Sequence, residues 1–286
     1  MILSFHPCYE ADANIICAGR EPDAGDIAAM RAADAVILPQ GCRESLYRLS
    51  RAHCRHVFPD YAMRFRYPGK TGQARLFREM AVPHPQTWVF DDLSHYHHCS
   101  GNEPLPAFPL VFKLDWGGEG ETVALIRSHA DLERALATAA AYERSGQRGF
   151  ILQAFVPTFN RSLRVVVIGD DLTAYWRIQD QAALFGTSVA HGARIDHHAD
   201  PLLREQGINL TRDFCRRAAI NLAGFDLLFE AGPGGVNALF LEINYFFGRT
   251  GVGGSATFYA RLQSAIDAWL AQRGLAVGKQ STEETA

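Results

Sequence analysis

The chain has 286 residues, 48% of them apolar and 21% charged, which suits a packed core and excludes a disordered chain or a small disulfide-stapled fold. Lysine plus arginine (28) against aspartate plus glutamate (31) leaves a net charge of −3, so nothing global draws the chain to nucleic acid or an anionic membrane. No apolar run reaches the ~18 residues of a spanning helix, and the start, MILSFHPCYEAD, lacks the basic region of a signal peptide. The six cysteines contain no CxxC pair and read as reduced thiols. A cytoplasmic enzyme or binding protein of about two domains, at ~150 residues each, is expected.

In chain order, MILSF is a short strand, Asp26 to Ala33 is helical with Ile27 and Met30 on one face, and AVIL (35–38) is a buried strand. A helix from Cys42 to about His53 and a strand at Val57-Phe58 complete a β-α-β-α-β layer, hence a parallel sheet. Tyr61 to Pro68 has no clear period and reads as a connector. Lys70–Ala81 is helical, with Leu76, Phe77 and Met80 on one face, and Pro83 and Pro85 stop it. TWVF (87–90) is a strand, and a polar loop follows to about Pro106. Within that loop His95-Tyr96-His97-His98-Cys99 invites a metal reading, but no second ligand pair matches it, and a solvated loop is the expectation.

FPLVFKL (108–114) and TVALI (122–126) are strands around Asp115-Trp-Gly-Gly-Glu-Gly-Glu121, and Ser128-His-Ala-Asp131 caps a helix running to about Arg144. FILQAFV (150–156) is a strand ended by Pro157. LRVVVIG and LTAYWRI flank Gly169-Asp170-Asp171 as a hairpin. A helix from about Thr211 to Ala223 is expected to end at Gly224. FDLLFEA and NALFLEIN form a second hairpin around Gly-Pro-Gly-Gly, a last helix spans about Thr257–Ala271, and the polar tail Lys279–Ala286 is expected to be mobile.

Lys113 sits on an apolar strand, where an ammonium is costly unless it meets an anion. The following Gly117-Gly118-Glu119-Gly120 lets backbone N–H groups approach phosphate oxygens. Together they suggest a lysine and a glycine flap over a nucleoside triphosphate; a snorkelling lysine beside an ordinary turn is the alternative. Glu242 and Asn244, two residues apart on a strand, project to one face. With Asp226 on the neighbouring strand they offer hard oxygens suited to Mg²⁺, although polar residues facing water would show the same alternation. The break at Pro157 leaves backbone groups, covered by Phe155 and Val156, to pair with an adenine edge. Gly69-Lys70-Thr71 mimics the end of a GxxxxGK[ST] loop, but Arg64 stands at its first glycine and that reading is rejected.

The order of these features resembles the ATP-grasp superfamily, particularly the ribosomal-protein glutamate ligases, with glutathione synthetases and D-alanine–D-alanine ligases more distant. The resemblance implies an α/β plus α+β chain: a parallel α/β pre-ATP-grasp domain over 1–66, then two lobes with antiparallel sheets, and a flexible tail over 276–286. The lobe over 67–149 would carry the two phosphate lysines. The lobe over 150–275 would carry the hinge strand and metal ligands.

By the same resemblance Lys70 and Lys113 contact ATP phosphates, Gly117, Gly118 and Gly120 form a mobile loop, and Gln153, Ala154, Phe155 and Val156 hold adenine. Asp226, Glu242 and Asn244 would bind Mg²⁺ or Mn²⁺, and Arg164 and Arg177 would join Lys113 at the phosphoryl-transfer site. The implied reaction phosphorylates a carboxylate with ATP, and an amine then displaces phosphate to give an amide. The implied partners are small-molecule or peptide acids and amines, with a protein acceptor and a homodimer left open and neither nucleic acid nor membrane. No nucleophilic side chain is needed.

Several positions depart from the family pattern. Ala154 and Ser162 stand where relatives often carry acidic residues. Ser188 and His191 stand where an asparagine and an arginine are usual, so His191 would exchange a fixed charge for a titratable one near the substrate. Tyr245-Phe246-Phe247-Gly248-Arg249 intervenes where a proline-glycine is frequent; Arg249 offers a planar fork for a substrate carboxylate, or is a surface arginine. These changes keep a second reading open, an ATP-binding regulatory or assembly module without ligase activity. A dinucleotide-dependent oxidoreductase ranks behind both, because no GxGxxG follows the first strand.

Overall fold

A computed structural model describes residues 1–278 apart from Ala18, 101–106, Glu119, 182–184 and 233–234. The expected mobile tail over 279–286, the end of the polar loop before Pro106, Glu119 of the glycine loop and the turn of the second hairpin lie outside the described residues.

The first 60 residues build a parallel sheet ordered β2-β1-β3-β4, from β1 (Ile2–Ser4), β2 (Ala13–Asn14), β3 (Ala35–Ile37) and β4 (His56–Phe58). Helices α1 (Ala24–Ala32) and α2 (Glu44–His53) supply the crossovers. Asp23 opens α1 with a reciprocal capping box: its carboxylate accepts from Gly25 and Asp26 N–H groups, and Asp26 accepts from Asp23 N–H. The β-α-β-α-β layer is as expected, with β2 an added edge too short to show a period. The connector 61–68 contains a short helix instead, α3 (Ala62–Arg66), where the Arg64 guanidinium lies over the Tyr61 and Phe65 rings.

Helix α4 (Gly69–Glu79) leads into a small antiparallel sheet ordered β5-β8-β6-β7, from β5 (Thr87–Phe90), β6 (Leu110–Leu114), β7 (Val123–Ile126) and β8 (Phe150–Ala154). The hinge strand β8 pairs with β5 and β6, so it lies in the sheet of the lobe before it, not with the strands after residue 150. Alternation sorts this sheet. Leu110, Phe112, Leu114, Phe150 and Leu152 enter a core with α5 (Leu93–Ser100) and α6 (His129–Glu143), whereas Val111, Lys113 and Gln153 face a cavity. The histidine-rich run is therefore helix, not solvated loop. Asp92 accepts from the His95 N–H at 2.8 Å, and Tyr96 packs on Phe90 and Phe150. Among the described residues no group of three or more His, Cys, Asp or Glu side chains is placed to hold a metal ion.

The large antiparallel sheet is ordered β11-β10-β9-β12-β13, from β9 (Arg161–Ile168), β10 (Asp171–Ile178), β11 (Arg194–Asp196), β12 (Leu222–Gly232) and β13 (Gly235–Asn244). Both faces of β9 are covered. Leu163, Val165 and Val167 join one core with α4 and α7 (Pro201–Ala218), and Val166 and Ile168 join another with α8 (Gly254–Ala271). Its near-continuous apolar run follows from that double burial. Helix α7 starts at Pro201, well before Thr211, and ends at Ala218, not Ala223. Gly207 interrupts its pattern, yet a Cβ there would stand 2.4 Å from Leu163 Cδ2, so only glycine lets the helix lie on β9. Ala219, at φ +54°, turns the chain out of the helix, and Gly224 belongs to β12. Among the described residues no helix is long and apolar enough to cross a membrane.

Candidate active site

A lateral row crosses one face of the large sheet. Tyr175 of β10 is the register partner of Arg164 on β9, Arg164 of Asp226 on β12, and Asp226 of Glu242 on β13. A register shift between Asp226 and Leu227 bulges the last pair and keeps Glu242, and two residues on Asn244, on the Asp226 face. Arg164 closes on Asp226 as a fork, Nε to Oδ1 at 2.6 Å and Nη2 to Oδ2 at 3.0 Å. Arg177 Nη2 reaches Asp226 Oδ1 at 2.7 Å, and Asn244 Nδ2 donates to Oδ2 at 3.2 Å. Burial pushes the Asp226 carboxyl up, but the two guanidiniums outweigh it and hold the group below the ordinary carboxylate value. Gly224 makes room for the fork, since a Cβ there would lie 3.0 Å from Arg164 Nη1. Arg177 also donates to Ser162 Oγ at 3.0 Å, and Ser162 shares a 2.6 Å hydroxyl contact with Thr187.

The small sheet supplies the facing wall. Lys113 Nζ donates to Gln153 Oε1 at 2.8 Å, and Gln153 Nε2 donates to Thr87 Oγ1 at 2.9 Å, so the hinge glutamine is spent on holding the lysine. Burial drives the Lys113 pKa down to about 8; Glu242 opposes the fall and Lys70 adds to it. Lys70 opens α4 beside Gly69, at φ +67°, where a Cβ would overlap the Asp115 carboxylate at 2.3 Å. That carboxylate accepts from the Thr71 N–H at 2.7 Å. Lys70 Nζ donates to the carbonyls of Trp116 at 3.2 Å and Gly117 at 2.9 Å, which tethers it beneath the glycine loop.

Between the walls lies a cavity of about 930 Å³. All the expected site residues line it except Lys70, Gly117 and Arg249. Lys70 borders a small void beside it, shared with Lys113, Gln153 and Glu242. Gly117 turns the loop at φ +85°, where a Cβ would press Thr122 at 2.5 Å. Arg249, left open between a substrate fork and a surface arginine, stacks its guanidinium on Phe258 and Tyr259, 4.7 and 4.5 Å from the ring centroids, and is not among the described residues lining the cavity. His191 is exposed in a short turn, and its carbonyl accepts from Gln179 Nε2 at 2.9 Å. At the hinge the Ala154 N–H goes to the Gln86 carbonyl at 2.8 Å, and Phe155 and Val156 run on along the cavity past the end of β8.

Three contributions escaped the sequence. Tyr175, two residues before Arg177, shares its face by the alternation of β10 and lines the cavity. Gln73, one helical turn after Lys70, makes both amide hydrogen bonds to the Ile243 backbone, each 2.8 Å, and so fixes the strand between Glu242 and Asn244. Exposed Phe159, Phe185 and Phe246 sit around the same cavity in loops, where no period marks them.

Lys70, Lys113, Arg164 and Arg177 set four cations against two carboxylates, a field suited to a polyanion. Asp226 has both oxygens committed to arginine and amide donors. Glu242 makes no hydrogen bond or ion pair among the described residues. Its carboxylate and the Asn244 carboxamide oxygen are hard donors at the cavity wall. They fit a divalent cation that completes its shell with phosphate oxygens and water.

Two antiparallel sheets gripping such a cavity define the ATP-grasp superfamily, and the chain resembles its carboxylate–amine ligases. A model of the RimK-like ATP-grasp domain matches residues 91–257, and the chain belongs to that family. Among solved structures it is similar to a RimK domain ATP-grasp protein from Sphaerobacter thermophilus, with 16% identity over 92% of this chain and 98% of the other and a TM-score of 0.60. It is also similar to the VanG D-Ala:D-Ser ligase of Enterococcus faecalis, with 15% identity over 82% and 72% of the two chains and a TM-score of 0.59. A third neighbour is N5-carboxyaminoimidazole ribonucleotide synthetase from Thermus thermophilus, with 17% identity over 96% and 72% and a TM-score of 0.57. At these identities the likeness is one of fold. No curated protein matches the sequence significantly.

Proposed function

We propose that the protein is an ATP-dependent, ADP-forming ligase that joins a carboxylate to an amine through an acyl phosphate. The observation that carries this reading is the Arg164–Asp226–Glu242 row facing Lys113 across one cavity, in a chain of this family. Lys70 and Lys113 would neutralise the polyphosphate, and the backbone of Gly118 and Gly120 would close over it. Phe155 and Val156 would hold the adenine edge. A divalent cation on Glu242 and Asn244 would supply further positive charge against the phosphate oxygens. Asp226 would position Arg164 and Arg177, which stabilise charge passing between donor and acceptor oxygens.

The substrate carboxylate oxygen attacks the γ-phosphorus and ADP leaves. The amine then attacks the acyl carbon and expels phosphate, with the amine proton passing to solvent. Residues 1–66 would form the pre-ATP-grasp domain and 67–149 and 150–275 the two lobes, with β8 joined to the first. Six free cysteines fit a cytoplasmic location.

Hydroxylamine trapping tests the proposal. With Mg·ATP and a pool of amino acids and small peptides, a hydroxamate should accumulate in step with ADP. The locking of both arginines on Asp226 favours a second reading, a nucleotide-binding module without ligation. Binding of Mg·ATP with no acid-dependent ADP or hydroxamate from any member of the pool would select it.

A further inference from the structure

A second cavity, of about 620 Å³, opens where β4 and the C-terminal ends of α2, α7 and α8 meet the β9–β10 turn. Among the described residues it shares no lining residue with the active-site cavity. Five arginines reach it (Arg51, Arg55, Arg212, Arg216 and Arg273) against two aspartates, Asp60 and Asp170. Both carboxylates are engaged. Asp60 accepts from the Tyr47 hydroxyl at 2.7 Å and the Ala62 N–H at 2.9 Å, and Asp170 accepts from Gln272 Nε2 at 3.1 Å.

Of the five arginines only Arg216 has an ion pair among the described residues, with Asp213 at 2.8 Å. Part of the remaining charge answers the helix ends: Arg273 Nη1 donates to the Trp269 carbonyl at 2.8 Å. Arg212 Nη1 donates to Asn209 Oδ1 at 2.7 Å. Arg51 and Arg55 have neither a carboxylate nor a hydrogen-bond acceptor among the described residues. His56, in the same wall, is held below the ordinary histidine value by burial and then by Arg55, Arg273 and Arg51. In a chain of net charge −3, unpaired like charges gathered in one concavity repel each other until an anion enters. Val57, Val167 and Ile220 make the floor apolar.

We propose that this cavity binds a small organic phosphate, with the anionic head on Arg51, Arg55 and Arg212 and an apolar body over Val57 and Ile220. A phosphate offers three acceptor oxygens and takes several guanidinium forks at once, whereas a carboxylate satisfies one or two. The site is independent of the ligase reading.

Calorimetric titration of the full chain with phenyl phosphate, inorganic phosphate and benzoate tests it. Phenyl phosphate should bind best and benzoate worst. The Arg51→Ala/Arg55→Ala double variant should bind phenyl phosphate at least about tenfold more weakly, with Mg·ATP affinity unchanged. Because both side chains are exposed, the variant should fold, and its circular dichroism spectrum checks that. Lys113→Met should bind phenyl phosphate like wild type. Three outcomes would overturn the assignment: loss of phenyl phosphate binding in Lys113→Met with retention in the arginine variant, benzoate binding as well as phenyl phosphate, or an RNA oligonucleotide binding where no small phosphate does.

Discussion

Arg164 and Asp226 are direct register partners on adjacent strands and meet through two hydrogen bonds, at 2.6 and 3.0 Å, in the buried space between the two antiparallel sheets. Forming such a pair gains little net stability because both ions are desolvated, but removing one partner strands the other. Asp226→Asn should therefore cost about 3–5 kcal/mol in urea unfolding at pH 7. Glu242→Gln should stay within about 1 kcal/mol of wild type while losing most turnover. Equal stability losses in the two variants would contradict the separation of roles between Asp226 and Glu242.

Lys113 ties stability to pH. Its folded pKa of about 8 lies below the unfolded value of 10.5, so between those values the unfolded chain binds the extra proton. The penalty of burying the ammonium is complete below pH 8 and is relieved as pH rises. Relative to Lys113→Met, wild type should gain about 1.4 kcal/mol per pH unit between the two pKa values. Paired urea titrations at about pH 7, 8.5 and 10, one below that window and two within it, check it. A flat difference would show that Lys113 is not buried as a cation.

The three loop glycines are not equivalent. No described residue lies within 4 Å of a Cβ at Gly118, whose φ is not left-handed, so Gly118→Ala should leave folding and Mg·ATP affinity nearly unchanged. Gly117→Ala meets Thr122 at 2.5 Å and forces a left-handed alanine, and should weaken Mg·ATP binding about tenfold through the carbonyl that holds Lys70. Binding isotherms for the two variants decide the matter.

How much of this was readable depended on range. Apolar runs around glycine-bearing turns marked both hairpins, an apolar run ended by Pro157 marked β8, and Ser128 marked the start of α6 through its bond to the Asp131 N–H. The spacing of Glu242 and Asn244 placed them together because both lie on one strand. What failed was long-range or lacked a period. The first ten residues of α7 were missed, and the glycine among them, Gly207, has its reason, contact with Leu163, across the fold. Gly224 looked like a helix cap because Arg164, for which it makes room, sits on a different strand. The helix at Leu93–Ser100 was hidden by histidines that disguise its buried Tyr96. That Asp226 meets two arginines depends on register, which no local pattern records.

Gly251 and Tyr175 offer a packing test. A Cβ at Gly251 would stand 2.0 Å from the Tyr175 ring. Gly251→Ala should cost about 1–3 kcal/mol by overpacking, and appreciably less in a Tyr175→Ala background. A double-mutant cycle in thermal unfolding reads the coupling, and additive costs would place the two groups apart in solution.

Titration of Mg·ATP into the full chain by calorimetry, wild type beside Glu242→Gln, probes the polyphosphate site itself. Wild type should bind saturably and more tightly with magnesium than without, and Glu242→Gln should lose that magnesium advantage. No heat of binding across buffers and temperatures, or a magnesium advantage undiminished in Glu242→Gln, would refute the assignment.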